Sequence, residues 1–273
     1  MRTKPNRIRS AARKGVPWLL PSLIGFSVFS VIPFFASFAY AFRESAFSHA
    51  FVGLANLRAL FSNVWFCRAL KNTLLFAAIS VPAMMLLSLC AAALLLRLSR
   101  RIAFVRCAFV LPVLLPSAVI TALWNTSLPQ LSEGYPFLSL LLIFLWKYSG
   151  LNVMLILSAL TAVDRAMLDA AQIDGAGGVR QFFCILLPNT VPTLFFVLIL
   201  SFVNALKVYR ESYLLWGSHP PGEVYMLQNY LGNQFDRLNY QNIAAAALLF
   251  AVLIYAVTAA VFVLEQKWSA SVW

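Results

Sequence analysis

Long uncharged apolar runs alternate with short polar links along this chain, and the run lengths decide its class. The runs occupy residues 16–42, 73–96, 102–124, 137–163, 190–213 and 243–264. A hydrocarbon core ~30 Å thick is crossed by ~20 helical residues. Each run is long enough to span, so six transmembrane helices are expected in an all-α polytopic membrane protein. The second run, TLLFAAISVPAMMLLSLCAAALLL, is apolar all round, and its periodicity does not tell which face meets lipid. Pro82, Pro112, Pro116 and Pro192 fall in or near runs, where membrane helices tolerate proline if neighbours satisfy the freed backbone groups. The first run follows a basic tail and ends in ASFAYA, in the manner of a signal peptide. It is about twice the usual length of a signal core and reads as a retained first span.

Composition agrees with this class. The 273 residues are 62% hydrophobic and only 11% charged, where a soluble domain carries ~25% charge. A net charge of +12 first suggests nucleic acid. The basic residues, however, sit in short blocks beside apolar runs, as topology signals do, and no nucleic-acid partner is expected. Arg2, Lys4, Arg7, Arg9, Arg13 and Lys14 precede the first run, and Arg97, Arg100, Arg101 and Arg106 surround the link between the second and third; neither block holds an acid. The positive-inside rule makes both blocks cytoplasmic, and with six spans both termini and the link 164–188 follow. Residues 1–15 are then a basic cytoplasmic tail and residues 16–273 a single transmembrane domain. The outer links 43–72, 125–136 and 214–242 are too short for a soluble domain. Cys67, Cys90, Cys107 and Cys184 form no C-x-x-C pair, and His49 and His219 stand in separate loops, so neither a metal site nor a disulfide framework is expected.

The link DAAQIDGAGGVRQFFCILLP, residues 169–188, is the polar anomaly in this pattern. Asp169, Ala170 and Ala171 begin a short amphipathic helix that Gly175, Gly177 and Gly178 break. Residues 179–187 form a second short helix with Phe182, Ile185 and Leu186 at helical spacing, and Pro188 ends it and starts the next span. The result is a compact knob with small residues at its tip, open to close approach by another backbone. Helices lying on a membrane surface carry lysine and arginine on their polar face. This link sets Asp164, Asp169 and Asp174 against Arg165 and Arg180, which favours a protein partner over lipid.

The link resembles the cytoplasmic loop of permease subunits in ATP-binding-cassette importers, whose pattern runs E-A-A, two residues, D-G-A, five residues, F, two residues, I, one residue, L-P. The matching positions are Asp169, Ala170, Ala171, Asp174, Gly175, Ala176, Phe182, Ile185, Leu187 and Pro188, with aspartate for glutamate at the first. The D-G-A form is similar to the carbohydrate branch. LPSLIGFSVFSVIPFFASFAYAF, FVGLANLRALF, ALKNTLLF, FVRCAFVLP and WKYSGLNVMLILSAL resemble that branch along most of the chain, in particular the first permease of maltose-type and glycerol-phosphate-type systems. The usual T-G-G-G-P after span five reads LWGSHPPGEV instead, on a side where a binding protein docks.

The resemblance implies a type I importer permease in the plasma or inner membrane of a prokaryotic cell, with this link as its coupling helix. It implies a second permease as heterodimer partner, a cytoplasmic ATPase dimer and an extracytoplasmic solute-binding protein. ATP and magnesium belong to the ATPase; this chain is not an enzyme, holds no cofactor, and lacks the G-x-x-x-x-G-K-[ST] phosphate loop. Polar residues inside spans are the substrate candidates, because burying them without a role is costly. They are Trp146, Lys147, Tyr148 and Asn152 on span four, and Ser201, Asn204 and Lys207 on span five, with Glu211 on the same stripe. The bland alternative is helix-to-helix bonding, with Lys207 paired to Glu211 and Arg210 snorkelling to the outer interface. Two other functions stand beside the importer. An ion-driven secondary transporter requires intramembrane acids, of which Glu211 is the single candidate; a membrane scaffold requires no polar stripe and no ATPase.

Overall fold

A computed structural model describes residues 19–44, 50–97 and 102–272. The basic tail, His49, and the side chains of the basic block between the second and third runs lie outside the described residues. Helices are α1 (Leu19–Tyr40), α2 (Ala55–Ser62), α3 (Val64–Arg97), α4 (Ile102–Leu114), α5 (Ser117–Ser127), α6 (Pro129–Gly134) and α7 (Pro136–Ala162). They continue as α8 (Arg165–Ile173), α9 (Gly178–Gln181), α10 (Leu187–Leu206), α11 (Tyr209–Trp216), α12 (Leu227–Asp236) and α13 (Tyr240–Val272). Among the described residues no strand forms beyond one bridge between Arg43 and Phe51. Among the described residues five helical runs are long and apolar enough to cross a membrane: Leu19–Tyr40, Val64–Leu96, Pro136–Ala162, Gly178–Trp216 and Tyr240–Trp268.

The expected third span is not one straight helix. Cys107–Leu114 and Ser117–Ser127 meet at 102°. Pro116 drives leucine 115 away from helical backbone. Its own ψ of 140° is extended, and its carbonyl accepts the Val119 and Ile120 N–H groups as α5 restarts. The second expected span begins nine residues early, at Val64.

The described residues fall into two compact units, one within Met1–Ser62 and Gln234–Phe250, the other within Asn63–Asn233 and Ala251–Trp273. In the first unit no residue of α1 is buried. The Asn56 amide closes the following turn by donating to the Ala41 and Arg43 carbonyls at 3.0 and 2.8 Å.

In the second unit α3, α7 and α10 pack around Ala92, Leu95, Val153, Ile156, Leu157, Leu160, Leu186 and Val197. At the other end of α3, the Asn72 amide donates to the Gly222 and Tyr225 carbonyls, and the Thr73 hydroxyl accepts the Leu227 N–H. These two polar residues fix the link after α11 to α3. Helix α5 runs opposite to α7 and is fixed to it at two points. Trp124 Nε1 donates to Ser139 Oγ at 2.6 Å, and Lys147 Nζ donates to Ser117 Oγ at 2.7 Å.

Helices α4 and α7 approach so closely that a side chain at Gly150 has no room. A Cβ there overlaps the Phe109 carbonyl, which is backbone and cannot swing aside. Gly150→Ala is expected to destabilise the purified chain by ~1–3 kcal/mol, the range for overpacking. Gly25→Ala meets nothing within 4 Å and serves as control. Equal melting temperatures in detergent for the two variants would contradict the close approach.

Candidate functional site

Two regions carry chemistry: the knob between α7 and α10, and a polar cluster inside the second unit. The knob begins where Asp164 caps α8, its carboxylate accepting the Ala166 N–H at 3.0 Å. The helix therefore starts at Arg165, and Asp169, Ala170 and Ala171 lie within it rather than at its start. It ends in a Schellman closure. The Ala176 N–H donates to the Ala171 carbonyl at 2.9 Å, the Gly175 N–H donates to the Gln172 carbonyl at 3.0 Å, and Gly175 takes φ +79°. Only glycine adopts that φ without a Cβ penalty. The Gln181 amide then donates to the Ala176 carbonyl at 3.0 Å and ties the second arm to the turn.

That second arm differs from expectation. It is not a separate helix ending at Pro188: α9, a π-helical turn over Phe182–Leu186 and α10 run on without interruption, with Pro188 in the first turn of α10. Proline lacks an N–H to offer the carbonyl four residues back, and a widened turn accommodates the missing bond. The Asn189 amide satisfies the neighbouring Ile185 carbonyl at 2.7 Å. The second arm of the knob is thus a continuous extension of span five, and α8 is tied to it through the turn at Gly175. Its inner face packs Leu168 and Phe182 against the helix core, and Ile185 and Leu187 are half-buried. Its outer face presents Met167, Ile173, Val179 and Phe183, with Ile173 87% exposed. Asp169, Ala170, Asp174 and Gly175 are exposed as well, and Ala171 and Ala176 half-buried.

The polar cluster joins three helices. Lys147 on α7 pairs with Glu211 on α11 at 2.5 Å, and Ser117 at the start of α5 donates to the same Glu211 oxygen at 2.8 Å. The Lys147 ammonium also lies 5.2 Å from the centre of the Tyr148 ring. Both charged groups are buried. A buried ion holds only if it is paired and hydrogen-bonded, and Lys147, Ser117 and the positive end of the α5 dipole together supply that to Glu211. Further along α7 the Asn152 amide donates to Ser201 Oγ at 2.8 Å, with both residues fully buried.

The expected pairing of Lys207 with Glu211 does not form. The chain breaks helical geometry at residues 207–208, so the four-residue spacing no longer puts the two side chains on one face; Lys207 is exposed while Glu211 points inward. Lys147, Asn152 and Ser201 are turned inward and engaged with protein partners, and Asn204 is buried. Trp146 and Lys207 are exposed and Tyr148 partly so. Ser117 and Gly150 were not singled out from the sequence. A glycine in the middle of an apolar span and a serine following proline were the available signals. Among the described residues no group of three or more histidine, cysteine or acidic side chains is placed to hold a metal.

Comparison with known proteins adds the following. The family described as "Binding-protein-dependent transport system inner membrane component" matches residues 73–270. The chain is 29% identical to the probable ABC transporter permease protein YurN of Bacillus subtilis, covering 86% of this chain and 91% of that one. It is 27% identical to the arabinooligosaccharides transport system permease protein AraP of the same organism, over 89% and 87% of the two chains. To the sn-glycerol-3-phosphate transport system permease protein UgpA of Agrobacterium fabrum it is 29% identical, over 96% of each. Among solved structures, a bacterial ABC transporter involved in the import of the acidic polysaccharide alginate has the same fold, with TM-score 0.81 at 21% identity over 96% of this chain and 99% of that one.

Proposed function

Because the chain belongs to the family of binding-protein-dependent transport system inner membrane components, we propose that it forms half of the pathway through which a sugar or sugar-like solute enters a prokaryotic cell, driven by a separate ATPase. It is a multi-pass permease subunit and not itself an enzyme. A second, different permease completes the pathway, a dimeric ATPase holding ATP and magnesium lies on the cytoplasmic side, and a solute-binding protein delivers from outside. Both termini are cytoplasmic. The sugar assignment rests on relatives such as AraP and UgpA, whose names specify arabinooligosaccharides and glycerol phosphate.

The observation that carries the coupling role is the construction of the knob. It is anchored to the core through Leu168 and Phe182, closed at Gly175, continuous with span five through its second arm, and apolar and exposed at Ile173 and Val179. A lever with an exposed apolar tip transmits displacement from a partner to the span. ATP shifts the transporter between states only through its different affinity for each, and the knob is the element through which that difference reaches the pathway. The sites assigned are Asp169, Ala170, Ala171, Asp174, Gly175, Ala176, Phe182, Ile185, Leu187 and Pro188 for coupling, the last four through their packing. Trp146, Lys147, Tyr148, Asn152, Ser201, Asn204 and Lys207 serve the pathway, those already bonded internally by shaping its wall.

A pull-down from detergent, with the genomic neighbours co-expressed, tests this. An ATPase and a second permease are expected to co-purify, and both Asp169→Ala and Gly175→Pro together are expected to release the ATPase while the second permease stays. A chain that purifies alone would contradict the assignment. The secondary-transporter reading is not favoured, because Glu211, its one candidate ion carrier, is neutralised by Lys147.

A further inference from the structure

Span five is continuous from the knob to Leu206 and interrupted just beyond it. At the interruption the Lys207, Val208, Arg210 and Glu211 N–H groups donate three residues back rather than four. Such tightened turns inside a long helix mark hinges. On the knob side of the hinge α10 is held to α7 by apolar packing, with Val197 in one cluster with Val153, Ile156 and Leu157. Beyond the hinge α11 has no such hold. Of its eight residues Glu211 and Ser212 are the buried ones, and both are polar. The Ser212 hydroxyl donates to the Val224 carbonyl at 3.3 Å, in the outer link. Glu211 is the one that reaches α7, through Lys147.

Span three is interrupted as well, at its 102° bend, and its second half, α5, packs against α11. Ser117, the first residue of α5, bonds to both members of the ion pair. One charged pair on α7 therefore holds the first turns of two half-helices that each follow a break. Stability does not explain the pair, because an apolar pair of similar volume commonly matches a buried ion pair. This one is also incompletely satisfied, the second Glu211 carboxylate oxygen being buried with no hydrogen-bond partner among the described residues. What a charged pair adds over apolar contact is a fixed register, since sliding the helices would leave both charges buried and unpaired. We infer that Lys147 and Glu211 are positioning residues for transport: their bond makes α11, and α5 with it, follow α7 when the knob displaces span five. It rests on the coupling reading above and adds the route by which displacement crosses the hinge, from α10 to α7 by packing and from α7 to α11 by charge.

The test reconstitutes the assembled transporter in proteoliposomes and divides solute taken up by ATP hydrolysed. Lys147→Met with Glu211→Leu is expected to lower that ratio about fivefold, within the range for residues that carry coupling between sites. The charge swap, Lys147→Glu with Glu211→Lys, rebuilds the bond with its polarity reversed and is expected to recover most of the loss. A merely structural pair would give one ratio in all three proteins. An unchanged ratio in the apolar pair, or a swap no better than the apolar pair, would overturn the inference. If either variant fails to assemble, spin labels on Ser158→Cys in α7 and Tyr213→Cys in α11, both exposed positions, read the same relation with Lys147 and Glu211 intact. Cys67, Cys90, Cys107 and Cys184 are then replaced by serine. The label separation is expected to be equal in nucleotide-free transporter and in transporter whose ATPase is trapped by vanadate; a separation that changes between the two states would overturn the inference. Uptake that needs no ATP, yet falls in the apolar pair and returns in the swap, would leave the tether standing and count against the ATPase reading instead.

Discussion

Gly175→Pro is expected to reduce ATP-driven uptake to background while leaving the chain in the membrane. Gly175 has φ +79°, and proline is restricted to about −65°. The Gly175 N–H that donates to the Gln172 carbonyl also disappears. A penalty of ~3 kcal/mol or more at this turn lowers the population of the closed knob over a hundredfold, at 1.4 kcal/mol per tenfold. The spans are untouched, so membrane insertion and expression are expected to be normal. Gly175→Asn is the informative companion, because asparagine tolerates the left-handed backbone of a helix C-terminus; nothing within 4 Å obstructs its Cβ. It is expected to retain uptake within about fivefold, given a left-handed cost of ~1 kcal/mol, the low end of the range for L-residues. Normal uptake in Gly175→Pro at normal expression would contradict the coupling role.

The second large effect is expected at Glu211. Glu211→Gln leaves the Lys147 ammonium buried without a counter-charge, which costs about 3–5 kcal/mol when one partner of a buried pair is removed. The thermal midpoint in detergent is expected to fall sharply. Removing both partners, as in Lys147→Met with Glu211→Leu, is expected to recover most of the loss, because no unpaired ion remains. Ser117→Ala alone removes the bond to the carboxylate and the acceptor for Lys147 but leaves the ion pair, and is expected to cost ~1–3 kcal/mol. A double-mutant cycle between Lys147 and Glu211 showing no coupling energy would contradict the buried pair.

The spans were legible because apolar length is a strong signal: the expected span four, 137–163, matches α7 within a residue at each end. The knob was legible in part, since Gly175 sits where a helix must turn and glycine marks such places. What escaped sequence reasoning was long-range partnership. Glu211 lies four residues from Lys207, and a helix would pair them; the break at residues 207–208 turns Glu211 toward Lys147 instead, 64 positions away in the chain. Periodicity carries no information across such a break. The 102° bend was similarly hidden, for Pro112 and Pro116 are equally plausible kinks in sequence, yet Pro112 lies inside α4 and Pro116 caps α5. Pro188 misled for the opposite reason, because a π-helical turn lets the helix continue through it.

The most direct measurement of the central claim is solute uptake by proteoliposomes containing this chain, its permease partner and its ATPase, with the solute-loaded binding protein on the outside. The account expects uptake that requires ATP in the lumen, persists when ionophores collapse every ion gradient, and disappears in Gly175→Pro. Uptake that survives without ATP but vanishes with the ion gradient would contradict it.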